Sequence, residues 1–406
     1  MLQTVGLARA KFEDPENPLL GPTLWGLQTW GMWQPKSGVA KNLYNLLHFL
    51  IIFFIISQYV ELWIIRENLE MALRNLSITM LSSVCVIKAG TFVFWQKNWR
   101  DIVDFVRHFE SYQRRKKDDI TQSFLDEYKR YSRKVTACYW CLVAATVFTV
   151  VLTPLASFMS SAEYRMQIRN GTKPYPEILS SWTPFDRTQG IGYILTLVMH
   201  ALICVYGGGI VANYDTNVVV LLSFFTGQLG LLRANCERLF ENINSYSDAV
   251  KNVRECHMHH DLLVRYAKIL DSVLSPVLFV YVIICSLMIC ASATQLTSEG
   301  TTAMQQVWIA EYLAALIAQL FLYCWHSNQV YYMSLAVDTG VYQSGWWSQE
   351  VRMRRCVLLL AGQLNRSIIF SAGPFTKLSV PTFILKGSYK WRAHVDLKQN
   401  CSKIEK

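Results

Sequence analysis

Six apolar runs, each close to or longer than the roughly 20 residues that cross about 30 Å of hydrocarbon at 1.5 Å per residue, dominate this chain. They lie at Leu43 to Ile65, Met71 to Phe94, Cys138 to Phe158, Ile191 to Tyr214, Val273 to Leu296 and Val307 to Trp325. A poorer seventh covers about Phe375 to Leu397. Inside a bilayer no water satisfies backbone N–H and C=O groups, so runs of this length must be helices that bond internally. A hydrophobic content of 52% against 17% charge over 406 residues agrees with a polytopic membrane protein. The expected fold class is all-α, with seven transmembrane helices.

Seven crossings put the termini on opposite faces. The first 40 residues mix charge with Pro and Gly and lack a short apolar core, so no signal peptide is expected there. The segment Gln96 to Val135 carries eleven Lys and Arg, Met159 to Gln189 carries four, and Thr297 to Gln306 carries none. Positive-inside bias then predicts a cytoplasmic N-terminus and an extracellular C-terminus. The net charge of +10 follows largely from that asymmetry and suits a face beside anionic membrane lipid. A nucleic-acid partner is not expected, because the run Arg114 to Lys117 is followed at once by Asp118 and Asp119. Most of the eleven cysteines fall within spans or on the cytoplasmic side, leaving only Cys401 outside and no extracellular disulfide. Asn170, in the sequon NGT of the longest outer loop, is the glycosylation candidate.

Below the fourth span, Leu222, Phe225, Leu229, Leu232, Cys236, Leu239, Ile243, Tyr246, Val250 and Val253 recur in steps of three and four. This stripe predicts a helix that leaves the membrane, reverses near Asn242 to Asp248 and climbs back through Asp261 to Leu270. A second stripe, Met353, Val357, Leu360, Leu364 and Ile368, predicts another cytoplasmic helix. The resulting organisation is a cytoplasmic segment 1–42, helices 1–4 over 43–214, a helical extension and hairpin over 215–272, helices 5 and 6 over 273–332, an anchor helix within 333–374, and a last helix with its tail over 375–406. Chemistry is sparse. The Cys256 to His260 cluster cannot converge from one helix face, so neither a metal nor a cofactor is expected, and no enzyme constellation emerges. Gly207 to Gly209, inside an apolar span, suits a close helix approach. Lys88 sits near the inner end of its span, where it can snorkel to the cytoplasm. Glu61 and Arg74 lie near the outer ends of adjacent helices and are placed to pair.

Three segments carry a resemblance, in order: YDTNVVVLLSFFTGQLGLLRANCERL from Tyr214, FLYCWHSNQVYYMSLAVDTGVYQSGWW from Phe321, and MRRCVLLLAGQLNRSIIFSAGPFTKLSVPTF from Met353. Together they resemble the insect odorant receptor family. The resemblance implies an odorant-tuning subunit of a ligand-gated, nonselective cation channel. It would bind a small volatile odorant and join the insect odorant receptor co-receptor in a heterotetramer. It would sit in the plasma membrane, as a multi-pass protein of the olfactory neuron dendrite. It also implies a cytoplasmic helical anchor through which subunits meet, which assigns the Met353 stripe to an oligomeric contact. A gustatory receptor of the same superfamily is the nearer alternative. A receptor coupled to G proteins is disfavoured by opposite topology and the lack of DRY or NPxxY motifs.

The resemblance further implies an odorant pocket in the outer halves of the spans, where ionisable groups such as His200 and Glu311 gain functional meaning. A volatile ligand asks for apolar and aromatic walls with few polar groups. Met80, Leu81 and Val84 from the second helix, Phe148, Leu152 and Leu155 from the third, Tyr193 and Leu197 from the fourth, and Trp308 and Tyr312 from the sixth supply such walls. The final helix would line the pore, with Lys390, Ala393 and Val395 as candidates. Its sequence, LSVPTFILKGSYKWRAHVDLKQN from Leu378, carries charges that cost about 2.5 to 3.5 kcal/mol each at a bilayer centre, so it cannot face lipid. Basic groups in a conduction path would oppose cation flow.

Overall fold

The computed structural model describes residues 14 to 382, apart from 15–16, 36, 68, 117, 161, 170–174, 186–189, 242, 244, 297–302 and 375. These residues form α1 (Gly21–Thr29), α2 (Val39–Ile64), α3 (Leu69–Phe94), α4 (Gln96–Arg115), α5 (Asp119–Ser160), α6 (Ala162–Arg169), α7 (Gly190–Glu237), α8 (Tyr246–Leu296), α9 (Ala303–Leu335), α10 (Val337–Gln343) and α11 (Val351–Leu364). Helices α2, α3, α5, α7, α8 and α9 are long and apolar enough to cross a membrane, and they contain the six better runs. The pore candidates Lys390, Ala393 and Val395, the sequon Asn170 and Cys401 lie outside the described residues.

The spanning helices outgrow the bilayer. A 48-residue α7 and a 51-residue α8 are each more than 70 Å long at 1.5 Å per residue. Both project at what we call the lower end, opposite the upper end, which holds the C-terminus of α2 and the connecting segment 175–185. The basic stretch 96–135 is not a loop. It is α4 plus the first part of α5, and α4 is amphipathic: Trp99, Ile102, Val103 and Val106 are fully buried on one face. The α7–α8 reversal falls between Glu237 and Tyr246, where the turn residues predict it, and Asn252 Nδ2 donates to the Leu239 carbonyl at 3.0 Å across it. The α7 stripe is buried from Leu222 to Leu239, whereas Tyr246 and Val250 are exposed.

The second cytoplasmic stripe behaves differently from its assignment. Met353, Val357, Leu360 and Leu364 are buried against α8 of the same chain, so that face of α11 is already occupied; Leu358 and Leu359 are exposed beside it. The segment after α11 is tied down by backbone donors. Ile368 N–H donates to Ser334 Oγ at 3.0 Å, Ser371 N–H to Asp271 Oδ1 at 2.8 Å, and Gly373 N–H to Ser275 Oγ at 3.0 Å. Gly373 has φ near +71° and lies against the Phe279 ring, a position closed to a side chain.

At mid-height, α1 is pressed into the bundle. Its Gly26 packs on the Asn213 carboxamide, and the following Trp30 packs on Gly209 and accepts from Tyr206 OH at 3.1 Å through its carbonyl. A Cβ at Gly208 would stand 2.5 Å from a Val147 methyl. Gly208 and Gly209 therefore serve close approach, the first toward α5 and the second toward the end of α1.

Candidate functional site

The upper half holds a buried polar cluster. His200 on α7 is fully buried, with Ser181 Oγ at 2.8 Å from its Nε2 and the Leu179 N–H donating to its Nδ1 at 3.4 Å. A ring nitrogen that accepts at Nδ1 leaves the proton on Nε2, so this histidine is a neutral clamp on the connecting segment. That segment reaches into the bundle. Asn75 Nδ2 donates to the Ser180 carbonyl at 3.4 Å, Trp182 N–H donates to the Ser57 carbonyl at 3.2 Å, and Tyr193 OH donates to the Pro176 carbonyl at 2.9 Å. Ile178 and Leu179 form a small apolar core with Phe54, against which Leu197 packs. The Phe54 ring meets His200 edge-on at 5.7 Å. One turn above Phe54, Gln58 is fully buried and neither atom of its amide has a hydrogen-bond partner.

The other candidates divide by where they point. Val84 and Tyr312 are buried in the main core, with Met80 and Leu81 packed against it, and Tyr312 OH donates to the Ser77 carbonyl at 3.3 Å. Glu311 accepts from Thr149 Oγ1 at 3.3 Å. Phe148, Leu152 and Leu155 turn outward on α5, with exposures of 66%, 36% and 55%. The side chains of Trp308 and Arg74 lie outside the described ones. Thus α3 and α9 place Met80, Leu81, Val84 and Tyr312 together in the main core, α7 places Leu197 and His200 on the separate Phe54 core, and α5 contributes Thr149 rather than its larger apolar residues.

Lys88 overturns its sequence reading. It does not snorkel: it is fully buried and meets Asp215 Oδ1 at 2.5 Å. The same carboxylate accepts from Tyr139 OH at 2.6 Å, and from the Tyr323 hydroxyl and the Gln319 amide. Tyr281 OH closes the set by donating to Gln319 Oε1 at 2.8 Å. The Lys88 ammonium also stands 5.0 Å from the Tyr281 ring centre and 5.4 Å from that of Tyr214. A buried ion pair holds only where its remaining donors and acceptors are satisfied, and this one joins α3, α5, α7, α8 and α9 on those terms. Asp215 escapes sequence reasoning because it falls one residue past a predicted span end and reads as solvated. The usable signal is on α9, where Tyr312, Leu316, Gln319, Tyr323, Ser327, Val330 and Ser334 form one buried stripe that carries polar groups through an apolar helix.

Comparisons with known proteins agree with this architecture. Residues 68–389 match the family model described as 7tm Odorant receptor. The chain is 22% identical to Odorant receptor 82a of Drosophila melanogaster over 318 residues, 76% of this chain and 80% of that protein. It is 21% identical to Odorant receptor 94a of the same species over 373 residues, 90% of each. Odorant receptor Or2 of Anopheles gambiae is 22% identical over 175 residues, and the match spans less than half of that protein, 46%. Among solved structures, the insect olfactory receptor OR5 from Machilis hrabei in complex with eugenol superposes with a TM-score of 0.75 at 16% identity, over 92% of this chain and 96% of that one. No enzyme chemistry accompanies these matches. An all-helical bundle with six apolar spanning helices and a family match over most of its length identify the chain as a member of the insect odorant receptor family, a multi-pass protein of the plasma membrane.

Proposed function

We propose that this chain is the odorant-tuning subunit of a heteromeric ligand-gated cation channel, cytoplasmic at its N-terminus, that binds a small volatile in the upper half of its bundle. The observation that carries the reading is Gln58. A fully buried amide with no partner costs about 1 to 3 kcal/mol unless a ligand or water completes it, and this one lies beside the His200 cluster. A volatile with one carbonyl or hydroxyl on an apolar frame has the matching chemistry. Its walls would come from Met80, Leu81, Val84, Tyr193, Leu197, Trp308 and Tyr312, with His200 and Glu311 as the ionisable groups. Phe148, Leu152 and Leu155 would face lipid or a neighbouring subunit.

The exposed Leu358 and Leu359 on α11 suit a subunit contact, since the opposite stripe is used internally. We assign that contact to the co-receptor. The pore role of Lys390, Ala393 and Val395 and the glycosylation of Asn170 belong to the same proposal. A ligand that favours the open state by about 1.4 kcal/mol shifts the open ratio tenfold.

Whole-cell current under an odorant panel, with the subunit expressed alone and then with the insect co-receptor, tests the reading. The expected result is odour-evoked current only with the partner, and a shifted potency in Tyr193→Ala or Trp308→Ala. Current from the chain alone would make its charged last helix a working pore. Surface-expressed receptor that stays silent in both settings across a broad panel would remove the tuning role.

A further inference from the structure

The lower end, away from the His200 cluster, carries a cleft of about 1010 Å³ walled by α4 on one side and the start of α8 on the other. Aromatic groups line its middle. The Phe105 and Tyr266 rings stack across it at 3.9 Å between centres, Phe109 lies 4.9 Å from the His259 ring, and Tyr112 stands exposed along the α4 wall.

Charge along the cleft is lopsided. Five carboxylates line it, those of Asp101, Asp104, Asp118, Glu241 and Glu255, against the two cations Lys116 and Arg238. Both cations are already used, Lys116 by Glu255 at 3.0 Å and Arg238 by Asp118 at 3.3 Å. Asp104 has only a long contact to Arg107, at 3.8 Å, while Asp101 and Glu241 have no ion pair among the described residues. Asp101 stands near the start of α4, whose lining residues from Asp101 to Lys116 span about 20 Å, and Glu241 stands in the α7–α8 turn. An anionic ligand, a phosphate headgroup included, would be repelled along that whole length.

An independent observation comes from His259, which is only 7% exposed and whose Nε2 has no hydrogen-bond partner, although it lines the cleft. Burial, with the nearby Lys116 ammonium and His260, pushes its pKa down to about 3, so at neutral pH the ring is uncharged and does not repel a cation. A neutral imidazole can accept from an ammonium N–H. Such an orphaned ring in the cleft wall, which also holds the unmet Gln113 Oε1, calls for a ligand atom.

We propose that this cleft is a binding site for a linear aliphatic polyamine, its terminal ammonium groups on Asp101 and Glu241 and its inner chain over the aromatic floor beside His259. Methylene segments gain by covering Phe105, Phe109 and Tyr112, and inner ammonium groups gain from the phenylalanine rings, since the Lys116 ammonium already stands 5.0 Å from the Tyr112 ring centre. A compact dication satisfies the carboxylates but not the rings, which makes length and apolar spacing the recognition features. The site is separate from the odorant proposal, and neither depends on the other.

Titration calorimetry of the purified full-length receptor in a neutral detergent at low salt, with spermine as the probe, tests it. We expect saturable binding that weakens at least tenfold in the Asp101→Asn, Glu241→Gln double variant and several-fold in Tyr112→Leu. All three side chains are exposed, so unchanged thermal midpoints will separate lost binding from lost folding. Magnesium should compete poorly. Absence of saturable binding, equal affinity in the double variant, or displacement by magnesium at matching concentration would each overturn the assignment.

Discussion

The two buried polar clusters of this bundle differ in completeness. Around Asp215 the ion pair itself is answered: the carboxylate takes an ammonium, two phenols and an amide, and the amide's own oxygen is filled by Tyr281. Around His200 the ring is filled by the connecting segment, but Gln58 one turn above Phe54 is left with both amide atoms unmet. A completed network fixes helices relative to one another, whereas an incomplete one keeps energy in hand for something that arrives later. On the proposed reading, the contrast separates a scaffold from a receiver within one fold.

The sharpest way to break the contrast is to strip the completed side. Asp215→Ala leaves Lys88 buried and unpaired, and removing one partner of such a pair costs about 3 to 5 kcal/mol. Surface expression and thermal midpoint should both collapse, while the double variant Lys88→Met, Asp215→Asn, measured the same way, should recover a large part of the loss. Retention of normal expression in Asp215→Ala would deny the cluster its structural role.

Next in size is the packing that seats α1. Gly209→Leu would drive a side chain into the Trp30 ring, and overpacking of this kind costs about 1 to 3 kcal/mol. Protease cleavage near the N-terminus of the purified receptor should accelerate. Cleavage at the wild-type rate would show that α1 is held by its other contacts.

On the incomplete side the sign reverses. Gln58→Leu removes an unmet amide and keeps the apolar volume, so the thermal midpoint should hold or rise, by up to about 1 kcal/mol of stability, while odorant potency changes. A fall in midpoint would mean that Gln58 is already bonded and the contrast is false.

How much of this was legible beforehand depends on the period of the residues. The six spanning helices, the α7–α8 reversal and the buried face of α11 follow from runs and from three-four spacing, signals that survive any tertiary arrangement. Lys88 and Asp215 lie 127 positions apart, and nothing local marks either as the other's partner. Read singly, a lysine six residues from a helix end looks able to reach water, and only the arrival of α7 and α9 makes that wrong. Gln58 and Asn75 escaped for a related reason: isolated polar residues in apolar runs take their meaning from what faces them. The apolar candidates on α5 rest on their place in the outer half of a span, which does not say which side of the helix meets the bundle, and Phe148 points away.

Helix α9 has a mechanical consequence of its own. It is a single rod of 33 residues, about 50 Å long, gripped near its middle by Asp215 through Gln319 and Tyr323. Tyr312 touches α3 about 13 Å above that grip, and Ser334 holds Ile368 about 20 Å below it. A rod clamped off-centre is a lever with unequal arms. Any tilt about the clamp therefore moves the Ser334 end, and the Ile368 backbone held there, about 1.5 times as far as the Tyr312 end.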